Sequence, residues 1–115
     1  MSSHPLKWMS RNVAVRILVA LPSHLKKLAD VSPEVWVELP SDEVATARSV
    51  LDALEANHPT LRGTIRDHDT GVRRPHLRYF AGKEDWSHEP SDAPLPNRVA
   101  DGQEIFRVLG AISGG

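Results

Sequence analysis

Along residues 13–21 the side chains alternate. Val13, Val15, Ile17, Val19 and Leu21 fall on one side of an extended chain, and Ala14, Arg16, Leu18 and Ala20 on the other. A period of two, rich in β-branched residues, predicts a strand with one face in a core, and Pro22 stops it. Val35, Val37 and Leu39 repeat the pattern around Trp36 and Glu38 and end at Pro40. Two such strands so close in sequence predict an antiparallel hairpin. Its wide connection, Ser23–Ser32, has room for a short turn around His24–Leu28. The period then changes. Val44, Ala47, Val50, Leu51 and Leu54 recur at helical spacing, which predicts a helix with one apolar face. Ser41 stands where a hydroxyl can cap its free amides, and Asp42 and Glu43 where acids favour the positive end of the dipole. Asn57-His58-Pro59 stops the helix, and Leu61 and Ile65 fit one further turn.

The second half of the chain is less regular. The charged stretch Asp67–Arg74 around Gly71 reads as a loop, His76–Phe80 as a strand, and Gly82–Asp85 as a turn before Trp86. Residues 87–98 hold Pro90, Pro94 and Pro96 and few apolar positions, which predicts a long surface loop. Asp101-Gly102 is a turn signal ahead of a final strand, Gln103–Leu109. One domain is expected over residues 12–109, with a flexible N-terminal arm at 1–11 and a flexible tail at 110–115. One helix over one face of a mixed sheet is an α+β roll. The last strand must lie beside the first for such a sheet to close around the helix.

Composition narrows the function classes. The chain has 115 residues, 40% hydrophobic and 25% charged, with a formal net charge of −1 and no cysteine. A near-neutral chain with dispersed arginines has no footprint for nucleic acid. The densest group, Arg62, Arg66, Arg73 and Arg74, is interrupted by Asp67 and Asp69 and reads as a solvated surface. Its functional alternative is contact with an acidic partner face. The absence of cysteine removes disulfides, thiolate metal sites and a cysteine nucleophile together. The apolar run at 13–21 is too short to cross a bilayer and lacks a small-residue cleavage site. No membrane partner is expected, and a cytoplasmic location is.

Candidate chemistry sits at the end of the chain. After Val108-Leu109-Gly110-Ala111 come Ile112, Ser113, Gly114 and Gly115. A terminal diglycine puts the α-carboxylate on a thin tether able to enter a narrow channel, because neither residue carries a Cβ. Ile112 and Leu109 are apolar positions suited to anchoring the tail in a groove. Elsewhere, His4, His24, His58, His68, His76 and His88 are scattered. None has a second ligand at the spacing of a zinc motif, so no metal is expected. Asp67-His68-Asp69 reads as part of the solvated loop. Ser87-His88 lacks the glycine-flanked elbow of a serine nucleophile.

With the opening strand Val13–Leu21, the helix segment Ser49–Leu54, the Ala100-Asp101-Gly102 turn and the Gly114-Gly115 end, the chain resembles the MoaD/ThiS-like sulfur-carrier proteins. The stretch Leu51–Asp67 looks most like the longer members, of the molybdopterin-synthase small-subunit and cysteine-synthesis types. Members often have a proline before the tail, where this chain has Gly110. The resemblance implies a ubiquitin-like β-grasp fold and a carrier that is not itself an enzyme. It implies that the Gly115 carboxylate is adenylated by an E1-like enzyme, which uses the ATP. A thiocarboxylate then forms and donates sulfur to an accepting synthase in molybdopterin, thiamine or cysteine biosynthesis. Gly115 would carry the sulfur, Gly114, Ser113 and Ile112 would form the tail, and no cofactor would be bound by the chain.

The same acyl-adenylate would serve a ubiquitin-like modifier joined through Gly115 to target lysines. A β-grasp binding module with an inert tail is the third reading. In either active reading the partner would recognise the sheet face near the tail. Trp36 and Phe106 are the apolar candidates there, although a place in or half in the core is the commoner fate of such residues.

Overall fold

The alternating run becomes strand β1, Ala14–Ala20, in the computed structural model, which describes residues 14–32 and 34–110. The N-terminal arm, Val13 and residues 111–115 lie outside the described residues. Helix α1, Ser23–Ala29, occupies the connection where the sequence predicts no more than a short turn. Its only buried side chain is Leu25, and it ends as Asp30 turns left-handed at φ 57°. Strand β2, Glu34–Pro40, then pairs antiparallel with β1, from Ala14 opposite Pro40 to Ala20 opposite Glu34. This is the expected hairpin, with a helix in its loop.

Helix α2, Ala47–Asn57, starts later than the sequence suggests. The N-cap is Thr46, not Ser41. The Thr46 hydroxyl accepts from the Ser49 N–H at 3.0 Å, and the Ser49 hydroxyl accepts from the Thr46 N–H at 2.9 Å. That reciprocal pair is a capping box. Ser41, Asp42 and Glu43 are exposed, and Val44, expected on the apolar face, is 65% exposed. The cause is long-range. The Ala45 carbonyl accepts from Leu95 N–H and the Arg48 N–H donates to Ser91 C=O, both at 2.9 Å, while Thr46 bridges Pro94. The segment from Ser91 to Leu95 thus holds residues 45–48 and prevents an earlier first turn. Beyond the cap the expected face is in place: Val50, Leu51 and Leu54 are buried. A 3-10 turn at Pro59–Leu61 follows, and Leu61 and Ile65 both enter the core.

Strand β3 spans Leu77–Ala81, and Glu84–Asp85, within the expected turn, form a two-residue strand β4. The proline-rich loop ends in a short helix α3, Asn97–Ala100, whose Val99 is buried. Strand β5 runs Phe106–Gly110. It begins three residues after the expected start because the N–H groups of Gln103 and Glu104 both return to the Arg98 carbonyl at 2.8 Å. That closure needs Gly102, at φ +87°. A Cβ there would stand 2.6 Å from the Arg16 carbonyl oxygen, a backbone atom with little freedom to retreat. Gly102→Ala is expected to destabilise the protein by about 1–3 kcal/mol through strain, read as a lower urea midpoint with an unchanged slope.

The sheet order is β2-β1-β5-β3-β4. The final strand lies beside the first, parallel to β1 and antiparallel to β3, as the fold requires. Ile17, Val19, Val37, Tyr79, Phe106 and Val108 point to one face, where α2 covers them through Val50, Leu51 and Leu54. This is the α+β roll of the β-grasp type.

Candidate functional site at the root of the tail

The tail residues singled out by the sequence, Ile112, Ser113, Gly114 and Gly115, lie outside the described residues. The structure shows what they are attached to. Strand β5 is interior to the sheet, and its last pair sets Gly110 opposite Leu77 at the start of β3. Where a Cβ of Gly110 would stand there is open space. Leu109 turns outward and is 40% exposed. Phe106 is fully buried, so it belongs to the core and not to a recognition face. Trp36, by contrast, is 44% exposed.

Strand alternation gathers a second set of side chains on the face turned away from α2. Leu18 lies opposite Trp36, Ala20 lies between Glu34 and Arg107, Phe80 opposite Arg107, and Leu109 opposite Arg78. This outer face has Leu18, Trp36, Phe80 and Leu109 as its apolar positions, with cations among them. The Arg16 guanidinium carbon stands 4.6 Å from the centroid of the Trp36 ring, a cation–π contact. Arg78 pairs with Asp85 at 2.9 Å, and Arg107 forms no ion pair among the described residues. The β5–β3 half of this face, apolar and bearing Arg107 and Arg78, suits contact with an acidic protein surface, while Glu34 and Glu38 make its β2 margin acidic.

In the stretch 62–74, Arg62, residues 68–70 and Val72 are exposed as its composition predicts, but Arg66, Arg73 and Arg74 are tied to the body. The Arg66 side chain is only 12% exposed and joins the loop to α2. Its Nε donates to Glu55 Oε2 at 3.0 Å, and Nη2 donates to Glu55 Oε1 at 3.1 Å and Asp52 Oδ1 at 2.6 Å. Burial pushes the Arg66 guanidinium toward deprotonation, but the hydrogen bonds and charges of Glu55 and Asp52 outweigh it and hold its pKa above the ordinary value. Arg73 donates to the Ser87 and Leu77 carbonyls, and Arg74 to the Gly63 carbonyl at 2.9 Å. Sequence reasoning missed this clamp because the partners come from segments distant in the chain.

Ser87 is likewise structural. Its hydroxyl accepts from the buried Tyr79 N–H at 2.9 Å and donates to the Tyr79 carbonyl at 3.3 Å. Among the described residues no group of three His, Asp or Glu side chains gathers as a metal site would. No helix among them is long and apolar enough to cross a membrane.

Two titrations are informative. Burial pushes the Tyr79 phenol up to about 12, so neutral Tyr79 stabilises the fold fully below pH ~10, and the gain disappears as pH rises toward ~12. At about two units this is roughly 2–3 kcal/mol. Tyr79 is the only tyrosine, so phenolate absorbance reports on it alone and is expected to rise together with loss of the near-ultraviolet circular dichroism. Asp85 is shifted the other way. The Ser87 N–H, donating at 2.9 Å, lowers its pKa, with Arg78 and His88 adding to the effect. Its contribution is therefore present above the ordinary aspartate range and lost as pH falls below it.

Solved structures supply the comparison. The crystal structure of Haloferax volcanii small archaeal modifier protein 1 superimposes with a TM-score of 0.65 at 23% identity, covering 87% of this chain and 99% of that one. The solution structure of the Methanosarcina acetivorans small archaeal modifier protein 1 gives a TM-score of 0.63 at 17% identity, covering 89% and 98%. The fold is that of the small archaeal modifier proteins. The match to these small archaeal modifier proteins spans nearly their whole length, so the β-grasp body is shared complete. No protein-family model matches the sequence, and no curated protein does.

Proposed function

We propose that the protein works through an activated carboxylate at Gly115, first of all as a sulfur carrier. The observation that carries this reading is the union of two features. The body has the fold of the small archaeal modifier proteins, and the strand leading to the diglycine sequence is an interior strand of its sheet, with an exposed Leu109 and an open Gly110 at the exit.

A carboxylate is a poor electrophile and needs activation. A Gly115 oxygen attacks the α-phosphate of ATP and pyrophosphate leaves, giving an acyl-adenylate on an E1-like partner. The outer sulfur of a persulfide on the sulfur-supplying enzyme displaces AMP. A thiol then opens the resulting acyl disulfide and leaves the thiocarboxylate, which an accepting synthase consumes. The chain supplies no acid or base in this scheme. Its part is to position the terminal carbonyl while the outer face docks, so it is a co-substrate and not an enzyme. Molybdopterin, thiamine and cysteine synthesis all use such chemistry.

The names of the structural neighbours favour a second reading, in which a lysine amine of a target protein displaces AMP or a partner thiol and forms an isopeptide bond. The deciding experiment is intact-mass spectrometry of untagged protein from cells that retain the adenylating partner. A fraction heavier by one oxygen-to-sulfur exchange, mapped to the terminal peptide, establishes the carrier. Covalent ladders on a denaturing gel that disappear when Gly115 is removed establish the modifier. Neither, with the partner and sulfur source shown active, refutes both.

A further inference from the structure

The sheet has two edges of very different length. On one side β4 has two residues; on the other β2 has seven, Glu34–Pro40. A long edge strand carries a row of unpaired backbone groups and is normally blunted by a bulge, an inward charge or a covering loop. Along β2 no loop, helix or side chain takes up the outward backbone groups of Val35–Leu39 among the described residues. A groove follows this edge, between β2 and the C-terminal half of α2. Arg16, Trp36, Glu38, Ala53, Ala56 and Asn57 line one part of it, and Asp30, Glu34 and His58 another. The small side chains of Ala53 and Ala56 leave the groove open where larger ones would fill it.

Charge selects what fits. Glu34, Trp36 and Glu38 alternate onto one face of β2, an acid–apolar–acid row. A second copy of β2 added antiparallel about Trp36 would set Glu34 against Glu38 twice, and like charges directly opposite repel. Self-pairing is thereby disfavoured while the edge stays open. Arg16, opposite Glu38 on β1 and stacked on Trp36, shares this face but forms no ion pair with either glutamate among the described residues. A strand whose outward side chains read basic–apolar–basic therefore still meets an opposite charge at each end and the Trp36 ring in the middle. Its intervening side chains would lie over Ala53 and Ala56.

We propose that the β2 edge and the groove beside α2 form a docking site for an extended segment of a partner protein with basic–x–apolar–x–basic alternation, bound as a sixth strand. The main-chain hydrogen bonds supply affinity and the glutamates supply choice of partner. This site is separate from the outer-face positions Leu109 and Phe80 at the root of the tail, so it does not depend on the carboxylate chemistry.

The test uses the full chain labelled with nitrogen-15 and two synthetic peptides. One has a lysine–valine–leucine–valine–lysine core flanked by alanines, and the other has glutamate in place of both lysines. The lysine peptide is expected to shift the amides of Val35–Leu39 and Ala53–His58 and to bind at least about tenfold more tightly than the glutamate peptide, a difference that shrinks with salt. In the double variant Glu34→Lys, Glu38→Lys, whose positions are exposed, the preference is expected to invert. Three results would overturn the proposal: shifts confined to other surfaces, equal binding of the two peptides to the unaltered protein, or none at millimolar peptide. Concentration-dependent broadening of β2 amides without peptide would assign the edge to a second copy instead, and would also overturn it.

Discussion

Deleting Gly114-Gly115 is expected to abolish ATP–pyrophosphate exchange by the adenylating partner while leaving the thermal midpoint of the protein unchanged. The two outcomes separate because the chemistry and the fold use different parts of the chain. The core is closed by β5, whose buried side chains are Phe106 and Val108, and the strand ends at Gly110. Residues 111–115 extend at most about 17 Å beyond it, and removing two of them shortens that reach by about 7 Å. A reacting carboxylate misplaced by even about 1 Å loses much of the advantage of being held in place, so a shortfall several times larger leaves no measurable rate. Exchange that persisted in the shortened protein would mean that another carboxylate is activated, and the carrier reading would fall.

Replacing Arg66 by methionine is expected to cost about 2–4 kcal/mol of stability, seen as a lower denaturant midpoint. Removing one partner of an enclosed ion pair costs roughly 3–5 kcal/mol because a charge is left buried without compensation. The range here is set somewhat lower because Asp52 is largely exposed to water. Glu55 is the group left behind, with its side chain 11% exposed. The companion variant decides the interpretation. Arg66→Met combined with Glu55→Leu removes both charges, and is expected to recover most of the loss and lie within about 1 kcal/mol of the original protein. A double variant as damaged as the single one would show that Arg66 acts through packing of its stem and not through its charge.

The contrast between these two regions also explains what the sequence revealed. Where neighbours in the chain share one environment, the pattern was readable. The alternation over residues 13–21 and from Val35 to Leu39 predicts an antiparallel hairpin, which the structure reproduces as β1 and β2, and Val50, Leu51 and Leu54 mark the covering face of the helix. The misreadings occur where a distant segment decides. Ser41, Asp42 and Glu43 have the local chemistry of a helix start, but Leu95 and Ser91 bind the backbone at Ala45 and Arg48 and move the cap to Thr46. Helix α1 is too short for periodicity, since it buries only Leu25. Arg66 looked like a solvated charge because its partners lie on a helix that the loop reaches only by folding back. At the candidate site, the diglycine was plain from the sequence, whereas the outer face was not. Its members, Leu18, Trp36, Phe80 and Leu109, come from four strands and share a surface only through the order β2-β1-β5-β3.

That strand order has a consequence for how the protein is made. The strand that leads to the tail sits between β1, which is synthesised before the other described strands, and β3. Until Phe106–Gly110 is synthesised, β1 and β3 have nothing between them, and Phe106 and Val108 are missing from the core. A chain terminated early, or trimmed back into β5, is therefore left with an open sheet and exposed apolar surface, the condition that proteases and chaperones act on. Folding itself thus inspects the end of the molecule: a stable body forms only on chains that extend at least to the base of the tail.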